Sequence, residues 1–171
     1  MKTKNVILMV LTSILTFSAN VINAQDSGAK ITVNEVVDVS ADKIWKVLKQ
    51  MDDVDKYSPA IDKVVWTGKH GVGGERVCYG NENSFYVKEK IVKFNDAERS
   101  YSYAVIEGAP AKGMVNTFKV VDLGANKSKV VWSTNYISFI ENPRYTEDQF
   151  RGATEYGFKD FIGKVAIAAN K

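Results

Sequence analysis

From residue 31 onward, apolar and polar residues mostly alternate with a period of two, and the chain changes to helical spacing in only two places. In ITVNEVVDVS (31–40), Val33, Val37 and Val39 are separated by polar residues, the pattern of a strand near a sheet edge. Ser40 then precedes ADKIWKVLKQ (41–50), where Ile44, Trp45 and Leu48 share one face of an expected capped helix. MDDVDKYSPAI (51–61) predicts a second short helix that stops near Pro59. The runs DKVVWTG (62–68), ERVCYG (75–80), SFYVKEKIVKF (84–94), ERSYSYAVIEG (98–108), GMVNTFKVVDL (113–123) and SKVVWSTNYISF (128–139) read as strands. Several of their links, GNEN (80–83), NDAE (95–98), GAPAKG (108–113) and GANK (124–127), are short and rich in Gly, Asn or Asp. Such links make hairpins, so the middle of the chain predicts one antiparallel meander. Finally, residues 146–169 place Phe150, Thr154, Phe158, Phe161, Val165 and Ala168 on one face of a long amphipathic helix that starts at Thr146.

One strand, two short helices, six strands and a long helix define an α+β chain. A curved antiparallel sheet of seven strands wrapped around the C-terminal helix would cover every apolar face just described. The alternation also assigns side chains to the inner face of that sheet. Phe85, Val87 and Ile91 share a face with Glu89, while Lys88 and Lys90 point the other way. The same phase turns inward Arg76 and Cys78, then Tyr101, Tyr103 and Val105. It does likewise for Met114, Asn116, Phe118 and Val120, and for Val130, Trp132, Thr134 and Tyr136. Tyrosines, an asparagine and a glutamate facing one helix suit the lining of a pocket better than a solid core, because each buried polar group needs a partner.

The N-terminus changes the picture of charge. Lys2 and Lys4 precede the apolar run VILMVLTSILTF (6–17), and small and polar residues follow up to Ala24. This is the layout of a secretory signal cut after Ala24, giving a signal peptide over 1–24 and a single domain over 25–171. The run is short for a membrane span, so stable insertion after signal removal is not expected. Loss of both lysines brings the 23 basic residues almost level with the 20 acidic ones. A near-neutral domain has no electrostatic footprint for nucleic acid. A periplasmic or secreted location is the corresponding expectation.

The chemistry on offer is narrow. A single Cys78 excludes an internal disulfide, and with a single His70 it leaves no metal-ligand spacing, so neither metal nor cofactor is expected. The glycine-rich GKHGVGG (68–74) lacks the Lys-Ser/Thr of a phosphate loop. Glu89 is the most informative residue, an acid on an apolar face. It can pair with Arg76, hydrogen-bond a ligand, or act as a general acid or base with a raised pKa.

The element order carries short motifs: R-V-C-Y from Arg76, E-K-I at Glu89, N-D-x-x-R-x-Y-x-Y ending at Tyr103, and V-V-W ending at Trp132. In these the chain resembles the START-like SRPBCC superfamily, and within it exported members of the polyketide cyclase/dehydrase-like group. The resemblance implies a helix-grip fold enclosing a cavity for a hydrophobic or amphiphilic small molecule. Candidate ligand-binding residues are then Arg76, Glu89, Tyr101, Tyr103, Asn116, Phe118, Trp132, Thr134, Tyr136, Phe158 and Phe161. An exported binding or carrier protein is the leading expectation. One alternative is a cyclase/dehydratase-like enzyme with Glu89 as acid/base and Tyr103 or Asn116 holding a substrate oxygen. Another is an accessory protein to an exported partner.

Overall fold

The computed structural model describes residues 29–171, so the expected signal peptide lies outside the described residues. β1 (Ile31–Val37) buries Ile31 and Val33 and exposes Thr32 and Asn34. In α1 (Ala41–Leu48), Ala41, Ile44, Trp45 and Leu48 form the buried stripe. Ser40 occupies the N-cap position, but its side chain makes no capping bond. α2 is shorter than its sequence suggests, a single turn over Val54–Tyr57. Then follow β2 (Ile61–Thr67), β3 (Glu75–Gly80), β4 (Tyr86–Asn95) and β5 (Ser100–Glu107). β6 (Ala111–Lys112), β7 (Val115–Gly124), β8 (Lys127–Asn135), β9 (Ser138–Phe139) and α3 (Glu147–Ala169) complete the chain. Among the described residues no helix is long and apolar enough to cross a membrane.

The main sheet has seven antiparallel strands in the order β1-β8-β7-β5-β4-β3-β2. That is the expected meander, with the first strand returning to lie beside β8. The β7–β8 hairpin turns on Ala125 and Asn126, both at positive φ (47° and 58°), as a tight two-residue hairpin requires. α3 starts from a capping box: Thr146 accepts from the Gln149 N–H at 3.3 Å while the Gln149 side chain accepts from the Thr146 N–H at 2.9 Å. The helix then packs on β1, α1 and α2. Its C-terminal half carries the buried Phe161, Ile162 and Val165, whereas Phe158 and Phe150 are half-buried.

Three local departures from strict alternation matter for the site. Register runs from Ile91 opposite Tyr103 to Lys93 opposite Ser102, which leaves Val92 as an extra residue in β4. This bulge flips the phase, so Lys93 points out and Phe94 turns in against Trp45, ring centroids 5.8 Å apart. The second departure is Phe85, expected on the inner face with Glu89. It precedes β4, is 38% exposed, and lays its ring over Gly80, where a Cβ would stand only 2.2 Å from the ring. Third, the run 128–139 is not one strand. It breaks after Asn135, and β9 pairs with β6 in a separate two-stranded ladder.

Candidate functional site

Cross-strand register lines up the inner-face residues in rows. Arg76 on β3 sits opposite Glu89 on β4. In the next row Ile91, Tyr103, Asn116 and Thr134 face one another across β4, β5, β7 and β8. The row beyond holds Phe94, Tyr101, Phe118 and Trp132. Arg76, Glu89, Tyr103, Asn116 and Thr134 therefore form a polar belt across the concave face. On one side lies the main core, with Tyr101, Phe118, Trp132, Phe158 and Phe161 among its aromatic members. On the other lies a smaller cluster of Ala111, Met114 and Tyr136, backed by Val105, Phe139 and Phe150. Tyr136 thus belongs to the far side of the belt. Its hydroxyl donates to Glu147 at 2.6 Å, and the Lys30 ammonium sits 4.1 Å from its ring centre.

Polar groups this deeply buried need partners, and most have them. The Arg76 guanidinium donates from Nε to Glu89 Oε2 at 2.5 Å and from Nη1 to the Met51 carbonyl at 2.5 Å. It also lies over the Tyr103 ring, 4.8 Å from the centroid. Met51 holds a left-handed φ of 59° at the turn after α1, the turn that presents its carbonyl to Arg76. The Trp132 indole N–H donates to the Tyr103 hydroxyl at 3.3 Å, and the Thr134 hydroxyl to the Val115 carbonyl at 3.3 Å. Asn116 is the exception. It is 2% exposed, and among the described residues nothing donates to its Oδ1.

Electrostatics divide the belt into one charged pair and several neutral groups. Burial is the largest single influence on Arg76 and works against its charge, but Glu89 together with Tyr101, Cys78 and Tyr103 moves the guanidinium upward. Burial pushes the Tyr101 phenol up to about 12 and the Tyr103 phenol well above its ordinary value, with Glu89 adding to both. Both phenols stay protonated at neutral pH and act as hydrogen-bonding groups. Cys78 is driven the same way by burial, to about 12, which makes it a core residue rather than a nucleophile.

The aromatic side chains beside the belt meet one another. Trp132, with no exposed surface, carries Phe158 stacked on its face at 3.6 Å and 12°. Phe118 in turn touches Phe158 and Phe161, each with ring centroids 5.8 Å away. A gap of about 10 Å³ remains between α1, α2, α3 and Tyr101, room for roughly one water. A larger open hollow of about 600 Å³ lies elsewhere, lined mainly by outward residues such as Val92, Lys93, Ser100, Ser102, Thr117 and Lys119. Alternation alone does not reveal that hollow, because the Val92 bulge and the folded-back Val72 help to shape it. Nor does it reveal the contact of His70 with Asp52 at 3.0 Å, made while the imidazole stacks on Trp66 at 4.6 Å. The Met51 carbonyl leaves no sequence signal at all, being a backbone group.

Solved structures share this architecture at low sequence identity. The protein XoxI from Bacillus cereus superposes with a TM-score of 0.70 at 18% identity, over 82% of this chain and 94% of its own. Ara h 8.0201 gives 0.65 at 17% identity, covering 81% and 95%. The ZhuI aromatase/cyclase of a Streptomyces species gives 0.66 at 16%, covering 82% and 92%. At these identities the likeness is one of fold. No curated protein matches the chain in sequence. Residues 28–164, from before β1 to well inside α3, match a single family description, and on that match the chain belongs to the polyketide cyclase/dehydrase and lipid transport family.

Proposed function

We propose that this protein binds a hydrophobic or amphiphilic small molecule between the concave face of the sheet and α3, and acts as a carrier outside the cytoplasm. The observation that carries the reading is Asn116: a fully buried amide oxygen with no donor among the described residues, set in a belt whose other members each make a hydrogen bond and bordered by aromatic rings. A packed core has no use for such a group, since an unsatisfied buried acceptor costs about 1–3 kcal/mol. A pocket that orients a ligand does have a use for it. The lipid transport in the family's description agrees with a carrier. Arg76 and Glu89 engage each other, and the tyrosines are held protonated, which favours binding over proton transfer. The signal-like residues 1–24 supply the export.

The test is mass spectrometry of the protein purified from its own organism. Expected are an organic amphiphile retained at near-stoichiometric level and a mature N-terminus at or near Gln25. Protein that holds no such molecule and fails to enhance the fluorescence of an apolar dye would overturn the carrier reading. An intact 1–24 segment on the purified protein would overturn export.

A further inference from the structure

We propose that the bound molecule is uncharged, that a flat apolar body takes the place of Phe158 on the face of Trp132, and that a hydroxyl on it donates to Asn116 Oδ1. This rests on the binding site just proposed and specifies what the site selects.

The stack of Phe158 on Trp132 is the first support. Trp132 is wholly buried on β8 with its N–H committed to Tyr103, so it is fixed. Phe158 comes from α3 and is only half-buried, so it is the ring that can leave. α3 is also built to bend here. Gly152, Gly157 and Gly163 lie along it, and a Cβ added at any of them would meet nothing within 4 Å, so close packing does not explain them. Glycine inside a helix weakens it and makes local bending easier.

The second support is the pairing of polar groups in register. Asn116 lies between Tyr103 and Thr134. The Thr134 hydroxyl is directed to Val115, and the Tyr103 hydroxyl accepts from Trp132 while its own proton has no acceptor among the described residues. Asn116 Oδ1 needs a donor and Tyr103 has a proton to give, and a ligand hydroxyl is both donor and acceptor. Charge sets the third condition. Arg76 is the one buried cation of the belt and Glu89 already neutralises it, so a carboxylate or phosphate would enter without a counter-charge.

The experiment is a calorimetric titration of the purified protein with three probes of one shape: naphthol, its methyl ether and naphthoic acid. Naphthol should bind about tenfold more tightly than the ether, the worth of one hydrogen bond to a buried acceptor, and the acid should bind most weakly. Asn116→Leu should abolish the difference by weakening naphthol alone, and Phe158→Ala should tighten both neutral probes. The comparison of probes on the wild-type protein stands even where Asn116→Leu fails to fold. Equal binding of naphthol and ether, with Phe158→Ala tightening both, would refute the hydroxyl contact and leave the binding site intact. Unchanged or weaker binding in Phe158→Ala would refute the displacement. Absence of any probe binding to wild type and Phe158→Ala refutes this inference, while the co-purified amphiphile decides the carrier reading separately.

Discussion

Removing the negative charge of Glu89 tests the belt most directly. The Arg76 side chain is 3% exposed and that of Glu89 11%, with Nε and Oε2 at 2.5 Å. Glu89→Gln keeps an oxygen that can accept from Nε but leaves the guanidinium buried without a counter-charge. Breaking a buried pair from one side costs about 3–5 kcal/mol, and the retained hydrogen bond places this change near the lower end. For a domain of this size each kcal/mol lowers the melting temperature by about 2–4 °C, so a drop of roughly 6–12 °C is expected. The control is the double replacement Arg76→Met with Glu89→Leu, which removes both charges and fills similar volume. It should lie within about 1–3 kcal/mol of wild type, because the attraction within a buried pair roughly offsets its desolvation and the remaining cost is the Met51 carbonyl left without its donor. Thermal and urea melts with and without ligand measure both. A Glu89→Gln protein that melts with wild type would show that the pair is not buried as described, and the belt would lose its anchor. If Glu89 also moves protons, turnover in Glu89→Gln should fall about 10²–10⁴-fold in the fraction that remains folded, over and above the loss of stability.

Other outcomes follow from the same geometry. Gly157→Ala or Gly163→Ala in α3 should each stabilise the empty protein by about 0.5–1 kcal/mol, since the added methyl meets open space; a lower urea midpoint would contradict this. Thr146→Ala removes the capping box of α3 and should cost about 1 kcal/mol, with amide exchange rising in the first turn of the helix. At high pH the buried phenols destabilise the fold. Tyr101 has its folded pKa raised to about 12, above the ordinary value of 10.0, so its contribution is complete below that value and declines as pH rises from about 10 to 12. The loss for Tyr101 is of the order of 2–3 kcal/mol. Phenolate absorbance should rise together with unfolding; a full tyrosine titration without unfolding would refute it.

Much of the concave face was legible because alternation is a local rule. The period of two turned Arg76, Glu89, Tyr103, Asn116 and Trp132 to one side, and the structure buries all of them on that side. The bulge at Val92 was not legible, since a run such as KIVKF carries no mark of which residue is extra. Only pairing with β5 shows that Phe94, not Lys93, faces in. The break after Asn135 is hidden for a related reason: β9 exists because β6 is available to pair with it, and the link GAPAKG looks like any turn. Alternation could not say whether the inner aromatics leave space or fill it. That depends on how close α3 stands, and Phe158 stacked on Trp132 shows the rings meeting there.

Volume and chemistry point to opposite faces of the sheet, and chemistry decides between them. The open hollow lined by Ser102, Thr117 and Lys119 is far larger than the gap beside Tyr101. Yet its floor is already satisfied, for Ser102 and Thr117 bond to each other at 2.8 Å, and the lysines that flank it lose little by facing water. A ligand there would have to displace bonds that exist or compete with solvent. The inner face offers the reverse: apolar rings that exclude water, a neutralised cation, and an acceptor at Asn116 that gains a bond only when something arrives. Under the proposed reading, binding there is opposed mainly by moving Phe158, and that opposition is limited because Phe158 is only half-buried and its helix carries Gly152, Gly157 and Gly163 with open space around them. The stack of Phe158 on Trp132, and not the gap beside Tyr101, therefore marks the space for which a ligand would compete.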